Sequence, residues 1–327
     1  MPGKDVLGMA DLGADGIGAV LELARRMKAG EDTTRYLAGK NVGLLFNVPS
    51  TRTRVSFQVA ASQLGADSHT YGVEELRLAN RETVEDTAGV LARYLDALVV
   101  RWYDMDDYGG GHRRLEAMAA AADIPVVNAL DDLEHPCQVL GDLLTLRELL
   151  GPDLAGRRVV YTWAYSSRQK TPGVLHSSML AGALLGLRFT FVHPEHFGLD
   201  RRFTEEAARI AAGTGAEIVS RTDLEGAVSG ADAVYVQSWK SFELAGQDEW
   251  QARTRLAARW RVTEELMERA GPDAVFLDCM PSNRGEEVDA DVKDGPRSRI
   301  FQQAENRLHV QKALLARLLS ERARGEG

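Results

Sequence analysis

Cysteine is scarce in this chain of 327 residues: Cys137 and Cys279 are the two present, too few and too far apart for a disulfide framework or a thiolate metal site. Each reads, taken alone, as a small buried hydrophobe. Long hydrophobic runs are missing too. The longest, such as LDALVV before Arg101, fall far short of the roughly 20 apolar residues a bilayer crossing needs, so no membrane partner is expected. Blocks of basic residues are also absent. With 39 Lys and Arg against 48 Asp and Glu, the formal charge is −9, and phosphate neutralisation along a nucleic acid needs clustered positive charge. Nucleic acid is therefore not an expected partner. No GxGxxG follows an apolar run, and neither GxxxxGK[ST] nor HExxH occurs, which removes the usual anchors of dinucleotide, nucleotide and zinc-hydrolase chemistry. No cofactor and no metal are expected. The N-terminal MPGKDVLGMADLGADG lacks a basic leader, an apolar core and a small-residue cleavage site, so a cytoplasmic location is the expectation.

What is present is an alternation. Short apolar runs, NVGLLF (41–46), DALVV (96–100), IPVVN (124–128), RRVVYTW (157–163), RFTFVHP (188–194), DAVYVQS (232–238) and AVFLDCMP (274–281), are too short for buried helices and read as buried parallel strands. Between them lie helical patterns such as SFQVAASQLG, TVEDTAGVLARYL, QVLGDLLTLRELLG and HSSMLAGALLG. This is the βαβ signature of an α/β protein, and 44% hydrophobic content suffices for two doubly wound parallel-sheet domains. A Gly-Pro turn in GPDLAGRR places the boundary near residue 150, giving 1–150 and 151–303. The stretch from 304 to 327, AENRLHVQKALLARLLSERARGEG, is one amphipathic helix whose apolar stripe can return to the first domain.

Three polar segments follow strands and open helices. NVPSTRTRVSF brings Ser50, Thr51 and Thr53 with Arg52 and Arg54 to a helix N-terminus, where free N–H groups and bidentate guanidiniums favour phosphate oxygens. Read blandly, the same residues are an N-cap and solvated arginines. Arg101 ends the run DALVV at a carboxyl edge, as a ligand contact or a surface ion pair. His135 and Gln138 flank Pro136 and Cys137 at another strand-to-helix junction, where His135 either caps the helix or donates to a developing oxyanion. LDCMPSNRGEE (277–287) joins a strand to a polar turn, with Met280–Pro281 a candidate cis bond.

Together PSTRTRVSF, HPCQ, DCMPSNRGEEV and AENRLHVQKA, in this order and at wide spacing, make the whole chain resemble the aspartate/ornithine carbamoyltransferase family. The resemblance implies a first domain for carbamoyl phosphate, a second for an amine acceptor, a C-terminal helix returning to the first, and a homotrimer with shared active sites. It implies that Ser50, Thr51, Arg52 and Thr53 hold the phosphate with support from Arg307, and that Arg101, His135 and Thr53 hold the carbamoyl oxygen. Gln138 and the Met280 carbonyl would take the carbamoyl amino group, Cys279 would touch the acceptor amine, and a loop around Glu75 to Asn80, with Arg77, would reach a neighbouring subunit's site. No metal and no covalent intermediate is needed.

The acceptor side departs from ornithine carbamoyltransferases. Where they carry an Asp and then Ser-Met-Gly, the stretch here runs from Val234 through Ser238, Trp239 and Lys240, and an apolar residue at the Asp position would leave an ornithine ammonium unpaired. TWAYSSRQKTPG and QSWKSF resemble the knotted N-acetylornithine and N-succinylornithine enzymes, so a knot over roughly 165–245 is expected. Asn283 and Glu287 replace the Arg and Lys that the acetylornithine enzymes use, and Asp131 is a looser match for an acceptor-side glutamate of theirs. Asp278 either attracts an ammonium or is a satisfied buried acid. The acceptor set expected from the resemblance is Asp131, Ser238, Trp239, Asp278, Cys279 and Asn283. The reaction expected is carbamoyl transfer to a primary amine of an ornithine-like or N-acylated diamino acid. A diaminopropionate-like unit or a diamine is the alternative acceptor, and a silent carbamoyl-phosphate-binding paralogue the alternative role.

Overall fold

A computed structural model describes residues 5–76, 78 and 82–325. The chain divides into two compact units, one holding the residues up to Leu144 together with those from Ala304 onward, the other Thr145–Gln303. The division falls inside a helix rather than at the Gly151–Pro152 turn expected to carry it.

In the first unit the order is α1 (Gly13–Lys28), β1 (Asn41–Phe46), α2 (Thr51–Leu64), β2 (Asp67–Gly72), α3 (Val84–Leu91), β3 (Ala97–Arg101), α4 (Gly110–Ala121), β4 (Val126–Leu130) and α5 (Pro136–Leu150). The strands form a four-stranded parallel sheet ordered β2-β1-β3-β4. The central strands read as apolar runs because helices cover both faces: Val42, Leu44 and Leu45 of β1 and Leu98, Val99 and Val100 of β3 are fully buried. The edge strand β2, DSHTYG, is half-exposed and polar, so no apolar run marks it in the sequence. Helix α2 buries Thr53, Phe57, Ala60, Ala61 and Leu64 on one face, and it stops at Gly65, whose φ of 89° suits a residue without a Cβ.

The second unit runs β5 (Arg158–Trp163), α6 (Gly173–Leu184), β6 (Arg188–Val192), α7 (Arg201–Thr214), β7 (Glu217–Arg221), α8 (Leu224–Val228), β8 (Ala233–Gln237), α9 (Gly246–Leu256), α10 (Glu264–Ala270), β9 (Val275–Leu277) and α11 (Ala290–Lys293). Its five-stranded parallel sheet is ordered β7-β6-β5-β8-β9. Tyr161 stacks between Phe189 and Tyr235, with ring centroids at 4.8 and 4.3 Å, which ties β5 to both neighbours. The other edge strand missing from the sequence reading, β7, is again exposed and polar. Within the span expected to carry the knot, Gln237 Nε2 donates to the Thr171 carbonyl at 3.1 Å, and Trp163 Nε1, just ahead of that span, donates to the Trp239 carbonyl at 3.0 Å.

The last helix, α12 (Ile300–Gly325), belongs from Ala304 onward to the first unit. Asn306 accepts from Lys28 of α1 at 2.7 Å. Its backbone lies so close to α5 that a Cβ on Gly141 would meet the Arg307 Cγ at 3.0 Å and the Arg307 nitrogen at 3.3 Å. Glycine at 141 is thus what lets α12 approach and deliver Arg307. Among the described residues no helix is long and apolar enough to cross a membrane.

Candidate active site

The sheet order of the first unit reverses its winding between β1 and β3, and open parallel sheets bind ligands outside the carboxyl ends of the strands at such a point. Asn47 holds these two ends together, its side chain donating to the Tyr103 carbonyl at 2.8 Å and accepting from the Tyr103 nitrogen at 3.2 Å. Directly after it comes Ser50 in an extended conformation as the N-cap of α2, without a capping bond from its side chain. The first-turn N–H groups therefore face outward with the helix dipole behind them. A cavity of about 390 Å³ borders this turn, lined among others by Phe46, Asn47, Ser50, Arg54, Tyr71 and Glu75.

Around that turn the fold gathers Arg52 from α2, Arg101 from the end of β3, His135 ahead of α5 and Arg307 from α12. Arg307 is 3% exposed, and its Nη2 donates to the Thr53 hydroxyl at 2.6 Å. Burial, with Arg101 and Arg52 adding like charge, pulls the Arg307 guanidinium down to about 10, against the opposing pull of Cys137 and Asp142. His135 is pushed well below its ordinary value, first by burial and then by Arg307, Arg101 and Arg52. The arrangement is a preformed anion hole: several guanidiniums crowd one place, and beside them stands an imidazole that stays neutral. An anion entering it relieves the mutual repulsion.

His135 caps its helix and also stands among the arginines. Its carbonyl accepts from Gln138 and Val139 at 3.1 and 3.3 Å, so it is the cap of α5, while its imidazole lies among the arginines. Gln138, 2% exposed, donates to Asp142 Oδ1 at 2.8 Å, which aims its amide in the first turn of α5. Cys137 is an inert buried thiol, pushed up to about 12 by burial and directed at the Asn128 carbonyl.

Asp131, expected on the acceptor side, is tied into the turn ahead of His135. Fully buried, it accepts from His112 Nδ1 at 2.6 Å, from Asn128 Nδ2 at 2.9 Å, and from the Leu133 and Glu134 nitrogens at 2.7 and 2.6 Å. Its work is to shape the turn that leads into His135. Burial alone would lower the His112 pKa, but Asp131, with Glu116 and Glu134 behind it, raises it. A pKa raised on folding stabilises the protein fully below the unfolded value, near 6.5, and that stabilisation fades as pH rises through the folded value. His112→Gln is therefore expected to cost on the order of 1 kcal/mol more at pH 6 than at pH 9 in urea titrations. Equal losses at the two pH values would contradict a charged His112–Asp131 pair.

In the second unit the expected acceptor residues divide. Ser238 and Trp239 are fully buried and committed to packing: the Ser238 hydroxyl accepts from Arg253 at 2.8 Å, and the Trp239 indole donates to the Phe197 carbonyl at 2.9 Å. Arg253, itself buried against Trp163, Phe197 and Trp250 and bonded to Glu249, donates to the Ser238 hydroxyl and to the Trp239 carbonyl. Val234 is a mid-strand core residue paired with Val160 and Phe276, so its apolarity reflects the core and not the acceptor. The residue that β8 delivers to its carboxyl end is Gln237.

Asp278 is the satisfied buried acid of the two alternatives. It accepts from the Met280 nitrogen at 2.7 Å and from the Ser282 hydroxyl, and Lys293 Nζ lies 3.8 Å away. Met280, with φ of 54°, precedes the cis bond to Pro281, and Cys279 stays partly exposed beside it. Asn283 caps the same turn, its nitrogen donating to Glu287 at 2.7 Å and its amide to Glu286 at 2.9 Å. Glu287 in turn lies 3.4 Å from Lys170. Lys170, Gln237 and Lys293 carry no motif of their own: Gln237 is placed by strand pairing, Lys170 by a loop bridge to Trp239 and Lys293 by the short helix α11. Arg77 lies outside the described residues. Among the described residues no group of His, Cys, Asp and Glu is arranged to hold a metal ion.

The sequence profile for the aspartate/ornithine carbamoyltransferase carbamoyl-P binding domain matches residues 4–148, and that for the Asp/Orn binding domain matches residues 155–318. An ornithine carbamoyltransferase of Hyperthermus butylicus is 42% identical over 322 residues, 97% of this chain and 98% of that protein. The crystal structure of ornithine carbamoyltransferase from Gloeobacter violaceus is similar with a TM-score of 0.83 at 39% identity, covering 97% of this chain and 99% of the other. That of an N-acetyl-L-ornithine transcarbamylase is similar with a TM-score of 0.88 at 31% identity, covering 96% and 99%.

Proposed function

The chain belongs to the aspartate/ornithine carbamoyltransferase family, and on that premise we propose that it transfers the carbamoyl group of carbamoyl phosphate to a primary amine of an ornithine-like or N-acylated diamino acid. The observation that carries this reading is the cluster of Arg52, Arg101 and Arg307 around a neutral His135 at the switch point of the first sheet. Ser50, Thr51, Arg52 and Thr53, with the outward N–H groups of α2, hold the phosphate. Arg101, His135 and Thr53 hold the carbonyl oxygen. Gln138 holds the amino end.

In the reaction the acceptor nitrogen forms a bond to the carbonyl carbon, and charge grows on the carbonyl oxygen. The carbon–oxygen bond to phosphate then breaks, and the departing phosphate carries off the proton lost by the amine. A neutral imidazole keeps an N–H to offer the oxygen, whereas an imidazolium would add one more cation to a crowded site. The products are a ureido compound and hydrogen phosphate. Homotrimer assembly, with Arg77 serving a neighbouring site, is supported by the family resemblance, and light scattering tests it at three chain masses.

The acceptor reading is supported by the ion pairs of the second unit. The carboxylates of Asp278 and Glu287 already face Lys293 and Lys170, which weakens their pull on the free α-ammonium of ornithine. Ureido formation from carbamoyl phosphate is tested across ornithine, N-acetyl- and N-succinylornithine, putrescine and 2,3-diaminopropionate. Turnover of an acylated ornithine is expected, and turnover of putrescine or diaminopropionate alone would overturn the acylated reading.

A further inference from the structure

Helix α5 sets Gln138 and Asp142 four residues apart, one turn along the same face. Both are buried, at 2% and 1% exposure, and Gln138 Nε2 donates to Asp142 Oδ1 at 2.8 Å. A carboxylate accepts and never donates, so the amide can meet it only with its nitrogen, and Oε1 is turned to the other side. The same carboxylate acts on Arg307, where its negative charge opposes the repulsion from Arg101 and Arg52. Gly141, the residue just before it, is the one whose missing Cβ admits Arg307. Asp142 thus stands behind two groups of the anion hole, the amide of Gln138 and the guanidinium of Arg307.

Which end of that amide is free decides what it can recognise. An amide turned by Asp142 presents an oxygen, which accepts from a group carrying N–H and gains nothing from a methyl group. The reversed amide would present its NH2 and favour an oxygen instead. We infer that Asp142 is a positioning residue that fixes the Gln138 amide with Oε1 toward the ligand, and that it thereby selects, as the group donor, an acyl phosphate whose acyl carbon bears an amino group. Acetyl phosphate has the same phosphate and the same carbonyl, with a methyl group in place of the amino group, so the arginines and the first turn of α2 hold the two alike. The Gln138 contact tells them apart, because a methyl group leaves a buried oxygen without a donor. This deepens the proposed function, on which it rests for the amino end lying at Gln138.

The full chain, its variants Asp142→Asn and Gln138→Leu, and the double variant are titrated with carbamoyl phosphate and with acetyl phosphate by calorimetry. Wild type is expected to bind carbamoyl phosphate about tenfold to a hundredfold more tightly than acetyl phosphate. In Asp142→Asn the oxygen of the new side chain is drawn to Arg307 and its NH2 is left for Gln138 Oε1, so the preference is expected to fall about tenfold while acetyl phosphate binds at least as well as before. Gln138→Leu is expected to remove the preference by itself, and Asp142→Asn added to it to change the ratio no further. A purely structural role for Asp142 would weaken both ligands alike, and that result overturns the proposal, as does a preference that survives Gln138→Leu. The two readings fail separately. Equal binding of both acyl phosphates by wild type overturns selection through Asp142 without touching the anion hole. Preferred binding of carbamoyl phosphate, lost in Asp142→Asn, with no ureido product from any amine of the panel above, upholds the selection and overturns transfer.

Discussion

His135→Ala is expected to lower turnover by about a hundredfold to a thousandfold while leaving the dissociation constant for carbamoyl phosphate within a few-fold of wild type. The size follows from the 2.7 to 4 kcal/mol, roughly, that one oxyanion donor supplies in a water-poor site. The sparing of binding follows from charge: a neutral imidazole contributes little attraction to a phosphate beside Arg52, Arg101 and Arg307. Loss confined to turnover is the mark of a contact that strengthens only as charge develops on the oxygen. Steady-state kinetics together with calorimetry separate the two quantities. Unchanged turnover would remove His135 from the reaction and leave it as the cap of α5, and a collapse of binding without loss of turnover would make it a phosphate ligand. Because the depressed His135 pKa keeps the imidazole neutral, lowering the pH from 8 to 6 is not expected to charge it. Imidazole nitrogen shifts should show His135 neutral at pH 6, where His112 is cationic.

Arg52→Ala is expected to act in the opposite way, weakening carbamoyl phosphate binding by about tenfold to a hundredfold. A charge-assisted hydrogen bond contributes roughly 1.5 to 3 kcal/mol, and a guanidinium at the start of α2 adds to the N–H groups already there. The free protein should not suffer equally, because Arg52 is one of the cations that depress Arg307 and His135. Its removal relieves that repulsion, so thermal stability without ligand is expected to stay level or rise while the shift produced by carbamoyl phosphate shrinks. An unaltered dissociation constant would show that the phosphate does not sit at this turn.

The first unit was largely legible in the amino-acid order, for a physical reason. Ser50 to Arg54, Arg101, His135 and Gln138 all lie at the carboxyl ends of fully buried strands, and such strands announce themselves as continuous apolar runs. Arg307 stands apart in sequence but within a distinctive motif, and the glycine that admits its helix, Gly141, has no signal beyond its small size. The half-exposed edge strands β2 and β7 carry no such run. In the second unit the chemistry depends on register. Val234 and Gln237 are three residues apart in one strand, and which of them reaches the sheet edge is decided by where β8 stops pairing. Ser238 and Trp239 look accessible in a polar stretch, yet Arg253, far along α9, claims them from behind. Asp131 likewise resembles a ligand carboxylate until its four hydrogen bonds are seen to hold the turn before His135.

On the proposed function, the arginine and histidine cluster of the first unit hands a carbamoyl group to an amine. The most direct measurement follows 13C-labelled carbamoyl phosphate by NMR in the presence of the protein and N2-acetylornithine. The label is expected to move to a ureido carbon in step with phosphate release, and Arg52→Ala and His135→Ala to slow that transfer for different reasons. Label that is released only as hydrolysis products, or that stays on the donor while phosphate binding is intact, would contradict it.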